Sequence, residues 1–136
     1  MFTISPINDA AKQKEYAKAA GTTFREGFFA YAMTNSESGE LMGFSQFEID
    51  EKGGYISDLK PRLGYDDFEA MFILGRATMN FIDMCGAHTC RAAKDSADLR
   101  LLKAIGFKET DGEDFSSDMT GMFDGNCGGH TVNPEA

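Results

Sequence analysis

Two histidines and three cysteines are the chain's whole supply of imidazole and thiol, and four of the five fall in two copies of one short pattern. The copies are Cys85-Gly86-Ala87-His88 and Cys127-Gly128-Gly129-His130. Two Cys-x-x-His units hold two thiolates and two imidazoles, a complete tetrahedral set whose donor softness suits zinc. The expected metal ligands are therefore Cys85, His88, Cys127 and His130, provided the fold brings the two units together. A plainer reading stands beside it. Cys85 and Cys90 suit ordinary apolar packing, His88 suits a backbone partner, and the segment after Met122 has little with which to pack.

The composition narrows the rest. The 136 residues carry 22 acidic against 13 basic side chains, a formal net charge of -9. Neutralising a phosphate backbone requires clustered Lys and Arg, so nucleic acid is not an expected partner. No stretch approaches the roughly twenty apolar residues of a membrane span, and MFTISPINDAAKQ at the start has no basic region followed by an apolar run. The expectation is a cytoplasmic protein with no membrane partner, its odd number of cysteines held as free thiols. A chain of this length buries about 65–70% of its unfolded surface, so neither a metal nor a disulfide is needed merely to fold.

The elements that must position these residues follow from pattern. FTIS reads as a short strand. Asn8-Asp9 caps a helix running to about Ala20, where Gly21 ends it. From Phe24 to Met33 the chain is aromatic-rich, and Ser36 to Gly39 turns it into LMGFSQFEID, whose Leu41, Gly43, Ser45, Phe47 and Ile49 share one face of a second hairpin strand. Glu51 to Gly54 turns again into YISDLK, which Pro61 ends because it cannot donate to a ladder. Asp66 to Cys85 has helical spacing, with Phe68, Met71, Gly75, Met79 and Ile82 on one side and Glu69, Arg76, Asn80 and Asp83 opposite. AHTCRAA is a strand after the Gly86 C-cap, Asp95-Ser96 caps a short helix closed by Gly106, and Phe107–Thr110 and Phe115–Met122 read as the last strands. This gives one domain over residues 1–122 and a tail over 123–136.

That order, with a strand breaking at Leu59-Lys60-Pro61, a long helix after it and a terminal Ile105-Gly106-Phe107, resembles the GNAT family of N-acetyltransferases over roughly residues 2–122. The resemblance implies an α/β (α+β) fold built on a mixed, mostly antiparallel twisted sheet flanked by helices. It also implies an activity: transfer of an acetyl group from acetyl-CoA to the amine of a small molecule or peptide. In the family, a loop of the form R/Q-x-x-G-x-G/A holds the cofactor's pyrophosphate at a helix N-terminus. Arg62-Leu63-Gly64-Tyr65-Asp66-Asp67 stands there in this chain, with one glycine out of register and two carboxylates in place of a glycine. The resemblance makes Leu59, Lys60, Arg62, Gly64, Tyr65 and Asp66 the expected cofactor-binding residues, with Asp66 and Asp67 repelling phosphate.

Catalytic residues are read the same way. Many family members carry a tyrosine four residues before the Gly-Phe, as the acid for the departing thiolate. Leu102 occupies that position here, leaving Tyr65 either as a substitute acid or as a packing anchor. The candidate general bases are Asp58, just before the break, and Glu48, on the polar side of the hairpin, the first raised in pKa by burial if it serves. Glu48 reads equally as part of a solvated face. Two functions stay open: an acetyltransferase, and a GNAT-fold binding protein that has lost the chemistry.

Overall fold

The computed structural model describes residues 1–123. Along the chain lie β1 (Phe2–Pro6), α1 (Ala10–Ala19), β2 (Phe29–Asn35), β3 (Leu41–Asp50), β4 (Gly53–Pro61), α2 (Phe68–Met84), β5 (Thr89–Ala93), α3 (Leu99–Ile105), β6 (Lys108–Glu109) and β7 (Asp114–Asp118). The strands form one seven-stranded sheet in the order β1-β2-β3-β4-β5-β7-β6. Every pairing is antiparallel except β4 with β5. This is the mixed, mostly antiparallel α/β arrangement expected from the sequence.

The sheet is covered on both faces at its centre, so β3 is buried continuously from Leu41 to Phe47 instead of alternating. On one face α2 and α3 pack over a core that includes Phe47, Ile56, Leu59, Leu74, Met79, Leu102 and Ile105. On the other, α1 packs Ala17 and Ala20 against Ala30 and Phe44. Glycines set how closely α2 approaches: a Cβ at Gly54 would stand 2.6 Å from Ile82 Cγ2, and one at Gly75 2.9 Å from Ile105 Cδ1.

Helix ends follow their caps. Asp9 accepts from the Ala11 N–H at the start of α1. At α2 the cap is Asp67, whose carboxylate accepts from the Ala70 N–H at 3.0 Å, so the helix begins two residues later than the pattern suggests and Asp66 stands outside it. At α3 the expected Asp95-Ser96 cap is not used; the N-cap is Asp98, without a side-chain bond. Ser96 is instead buried and its hydroxyl donates back to the Ala93 carbonyl at 2.5 Å, because the chain leaving β5 must turn sharply before α3 starts.

β4 ends at Pro61 as expected, but no break falls at Leu59-Lys60-Pro61 itself. β4 stays paired with β3 as far as Pro61, opposite Gly43, and the irregularity comes earlier. Gln46 faces Asp58 and Phe47 faces Ile56, so Ser57 is an extra residue without a partner, a β-bulge.

Candidate active site

β4 and β5 run side by side only where Gly54, Tyr55 and Ile56 meet Cys90, Arg91 and Ala92. Past that point β4 continues to Pro61 while the chain beyond Ala93 turns away toward α3, and the two diverge next to the Ser57 bulge. The turn is stitched across the inner end of the gap: the Leu59 N–H donates to the Ser96 carbonyl at 2.7 Å, and Lys60 Nζ donates to the Asp95 carbonyl at 2.6 Å. Farther out, between the starts of α2 and α3, lies a cleft of about 370 Å³. Leu59, Pro61, Phe68, Met71 and Leu101 supply its apolar wall, and Lys60, Arg100, Asp66, Asp67 and Asp98 its charges.

The sequence-predicted cofactor residues gather here or next to it. Arg62 is committed elsewhere, with Nε donating to the Leu41 carbonyl at 2.7 Å and its guanidinium 5.3 Å from the Tyr65 ring centre. Tyr65 lies on the Arg62 side of the loop with its hydroxyl 3.4 Å from Asp67 Oδ2, and desolvation together with that carboxylate raises its pKa. Gly64 has φ +83°, a left-handed turn that glycine adopts freely, and open space where a Cβ would be. Leu102 is fully buried in the core and offers no hydroxyl.

On the opposite face of the bulge sits Asp58, 2% exposed. Its Oδ2 accepts from Arg25 Nε at 2.7 Å, Ser57 Oγ at 2.8 Å and Gln46 Nε2 at 2.9 Å, while Oδ1 accepts from the Thr22 hydroxyl. Burial pushes this carboxyl up, but its hydrogen bonds and the Arg25 charge outweigh burial and hold it below the ordinary range. That is opposite to the upward tuning expected of a buried base. The Arg25 guanidinium is raised in turn, first by its bond to Asp58. Gln46 extends the network: its amide also donates to the Thr23 carbonyl at 2.8 Å, and its Oε1 accepts from Gln13 Nε2 at 2.8 Å and the Arg25 N–H at 3.0 Å. Glu48 stands apart, half-buried opposite Tyr55, and no side-chain partner engages it among the described residues.

The sequence pattern does not single out Thr22, Arg25, Gln46 and Ser57, the four partners of Asp58. The available signal was Ser45-Gln46 in the middle of an apolar strand: a buried amide needs partners, and a carboxylate on the neighbouring strand is one. The α1–β2 loop that supplies Thr22 and Arg25 carries no such mark, and Ser57 reads only as the strand neighbour of Asp58.

Cys85 and His88 lie at the other end of the sheet. Cys85 is the exposed C-cap of α2, and His88 Nδ1 is 2.6 Å from Asp83 Oδ1. Cys90 is buried, and desolvation pushes its thiol up to about 12, which leaves it inert. Among the described residues no three His, Cys, Asp or Glu side chains converge on a metal position. Cys127 and His130 lie outside the described residues, so the described chain supplies two of the four expected ligands and does not establish zinc. No helix among the described residues is long and apolar enough to cross a membrane.

No protein-family model matches the chain, and no curated protein matches it in sequence. Solved structures do match in shape. A GNAT family acetyltransferase from Brucella melitensis, in complex with acetyl-CoA, superposes with a TM-score of 0.65 at 14% identity, covering 87% of this chain and 88% of that one. The ribosomal-protein-S18-alanine N-acetyltransferase from Escherichia coli gives 0.61 at 16% identity, over 85% and 90% of the two chains. KacTA, in a complex with DNA, gives 0.65 at 12% identity, over 90% and 96%. The chain therefore has the fold of the GNAT acetyltransferases.

Proposed function

We propose that the protein is an acetyl-CoA-dependent N-acyltransferase acting on the amine of a small molecule or peptide. The observation that supports this most is the divergence of β4 from β5 beside the Ser57 bulge, which opens an apolar cleft leading to the starts of two helices. Leu59, Pro61, Phe68, Met71 and Leu101 fit the pantetheine arm, and Lys60 and Arg100 supply positive charge for phosphates. The fit is poorer at the phosphate end. Asp66, Asp67 and Asp98 line the same mouth, and two like charges 4 Å apart repel by ~4 kcal/mol at an effective dielectric of 20. The proposal therefore includes weak cofactor affinity, above the low micromolar range.

When bound, acetyl-CoA supplies the activated thioester. The chain's part is to hold the acceptor and take its proton. Asp58 adjoins the bulge but already accepts four hydrogen bonds, so one donor must leave before it accepts a proton. Arg25, whose side chain is 39% exposed, is the donor free to move. A carboxyl held ionised in this way is a weak base, so the reading expects slow turnover that rises with pH as the amine loses its proton in solution.

A second reading is favoured by two observations: Ser96 already occupies the Leu59 amide that would face a thioester carbonyl, and Leu102 offers no proton to a thiolate. On that reading the protein binds a ligand in the cleft without chemistry. Thermal shift with acetyl-CoA, followed by thiol release over a panel of amines and peptides, separates the two. A ligand at 100 times its Kd stabilises the folded state by ~2.7 kcal/mol. Stabilisation with amine-dependent thiol release supports the transferase; stabilisation alone supports the binding protein. A protein that acetyl-CoA neither stabilises nor reacts with is not a transferase.

A further inference from the structure

The two edges of the sheet are finished differently. At one, β6 is Lys108–Glu109, two residues and both charged, the kind of short charged strand that discourages another chain from pairing. At the other, β1 is FTISP, five residues without a charge, held to β2 in unbroken register. Among the described residues no strand lies on its outer side. Which backbone groups that edge offers follows from the bonds at its two ends. The Ser36 N–H donates to the Met1 carbonyl at 3.0 Å, and the Ile7 N–H to the Ala30 carbonyl at 2.9 Å. Antiparallel pairs alternate between bonded and non-bonded, so Thr3 and Ser5 are bonded to β2, while Phe2, Ile4 and Pro6 turn their main-chain groups outward. Phe2 and Ile4 each present an N–H and a carbonyl; Pro6 presents a carbonyl alone.

This outward set matches itself when inverted. With Phe2 opposite Ile4 of a second copy, a two-fold axis passes beside Thr3, and each outward N–H of Phe2 and Ile4 meets an outward carbonyl of the other copy. The next register, Ile4 opposite Ile4, sets Phe2 against Pro6 and leaves the Phe2 carbonyl without a donor, so Pro6 selects the first. The side chains agree with that choice. Phe2 and Ile4 are half-buried on one face of β1, packed against the edge of the core under α2. Residues directly opposite share a face, so each Phe2 would lie against an Ile4, an aromatic and β-branched pair of the sort that stabilises neighbouring strands. A foreign strand could supply the hydrogen bonds, but a second copy supplies the matching side chains as well. β2 behind the edge, FAYAMTN, is also uncharged, so the net charge of -9 is not gathered here. We propose that two copies of the chain join along β1, antiparallel and two-fold symmetric, with Phe2 of each opposite Ile4 of the other, making one continuous sheet. β2 and β3 separate this edge from β4 and the cleft beside it, so the contact leaves the cleft open.

Sedimentation velocity of the full chain over a concentration series should show a monomer–dimer equilibrium. The variants that test the register sit at exposed positions, away from the core. Thr3 faces its own counterpart across the axis as a non-bonded pair, with Cα atoms about 4.5 Å apart. Thr3→Lys sets two like charges there and should raise the dimer Kd by about tenfold or more, while the dilute protein melts as before. Thr3→Cys should give a disulfide-linked dimer under mild oxidation, since that spacing falls within the roughly 4.4–6.8 Å that a disulfide spans. Peptide mapping should locate the bond between the two substituted positions. Ser5→Cys faces Met1 of the other copy instead of itself and should not link to its counterpart. A monomer throughout the series, a dimer indifferent to Thr3→Lys, or Ser5→Cys linking as readily as Thr3→Cys would each overturn the proposal.

Discussion

Asp58 and Gln46 hold the α1–β2 loop onto the sheet, and the cost of disturbing them is set by what each leaves unpaired. Asp58→Asn removes the charge that Arg25 and two hydroxyls address, at about 1.5–3 kcal/mol for a charged hydrogen-bond partner. Chemical denaturation should show that loss at neutral pH. It should also show a pH dependence with a definite sign. Because the folded carboxyl lies below its unfolded value, its stabilising share is complete above the ordinary carboxylate pKa and drains away as pH falls from about 4 through the folded pKa. The difference between wild type and Asp58→Asn should shrink over that interval; a constant difference down to pH 2 contradicts the assignment. Asp58 stood out in the sequence as a carboxylate in a strand, but its donors did not. Thr22 and Arg25 lie 36 and 33 residues away, and only the packing of α1 against β3 delivers them.

Among the elements, the start of α2 separates two carboxylates that look alike in sequence. Asp67 caps the helix and Asp66 does not, so the same exchange has different results at each. Asp67→Ala should lower stability by about 0.5–2 kcal/mol in a thermal melt. Asp66→Asn should leave the melt unchanged and tighten acetyl-CoA binding several-fold in calorimetry, since even in bulk water a like charge 4 Å away costs ~1 kcal/mol. Equal affinity in the two proteins would show that the phosphates lie elsewhere. At the close approach of α2 to the sheet, Gly54→Ala should cost about 1–3 kcal/mol by forcing Ile82 aside. Most elements could be read because caps, glycines and apolar spacing are local signals. The β4 irregularity could not be placed, because a bulge is a mismatch between two strands: Ser57 is extra only relative to Gln46 and Phe47. The cap of α3 is hidden in the sequence for a related reason, since the Ser96 hydroxyl donates back to Ala93 and its carbonyl accepts from Leu59.

At the scale of the molecule, a net charge of -9 would face an anionic cofactor under the proposed function. Repulsion between like-charged partners is screened by salt, with a Debye length of about 30 Å at 0.01 M and 8 Å at 0.15 M. Acetyl-CoA association should therefore quicken as ionic strength rises over that range, the reverse of a steered encounter. A stopped-flow rate that falls with salt would mean that Lys60 and Arg100 dominate the approach. A different consequence follows from the short parallel stretch joining β4 to β5. Three residue pairs form the ladder between a meander of β1 to β4 and a smaller unit of β5, β7 and β6, with the Leu59–Ser96 and Lys60–Asp95 bonds outside it. Cooperative opening units tend to follow such boundaries. In native-state hydrogen exchange, amides of β5 and β7 should share one opening free energy, lower than that of β2 and β3, and exchange as a block while the meander stays protected. Uniform protection across all of these strands would show that α2, which packs against both units, locks the sheet into one cooperative whole.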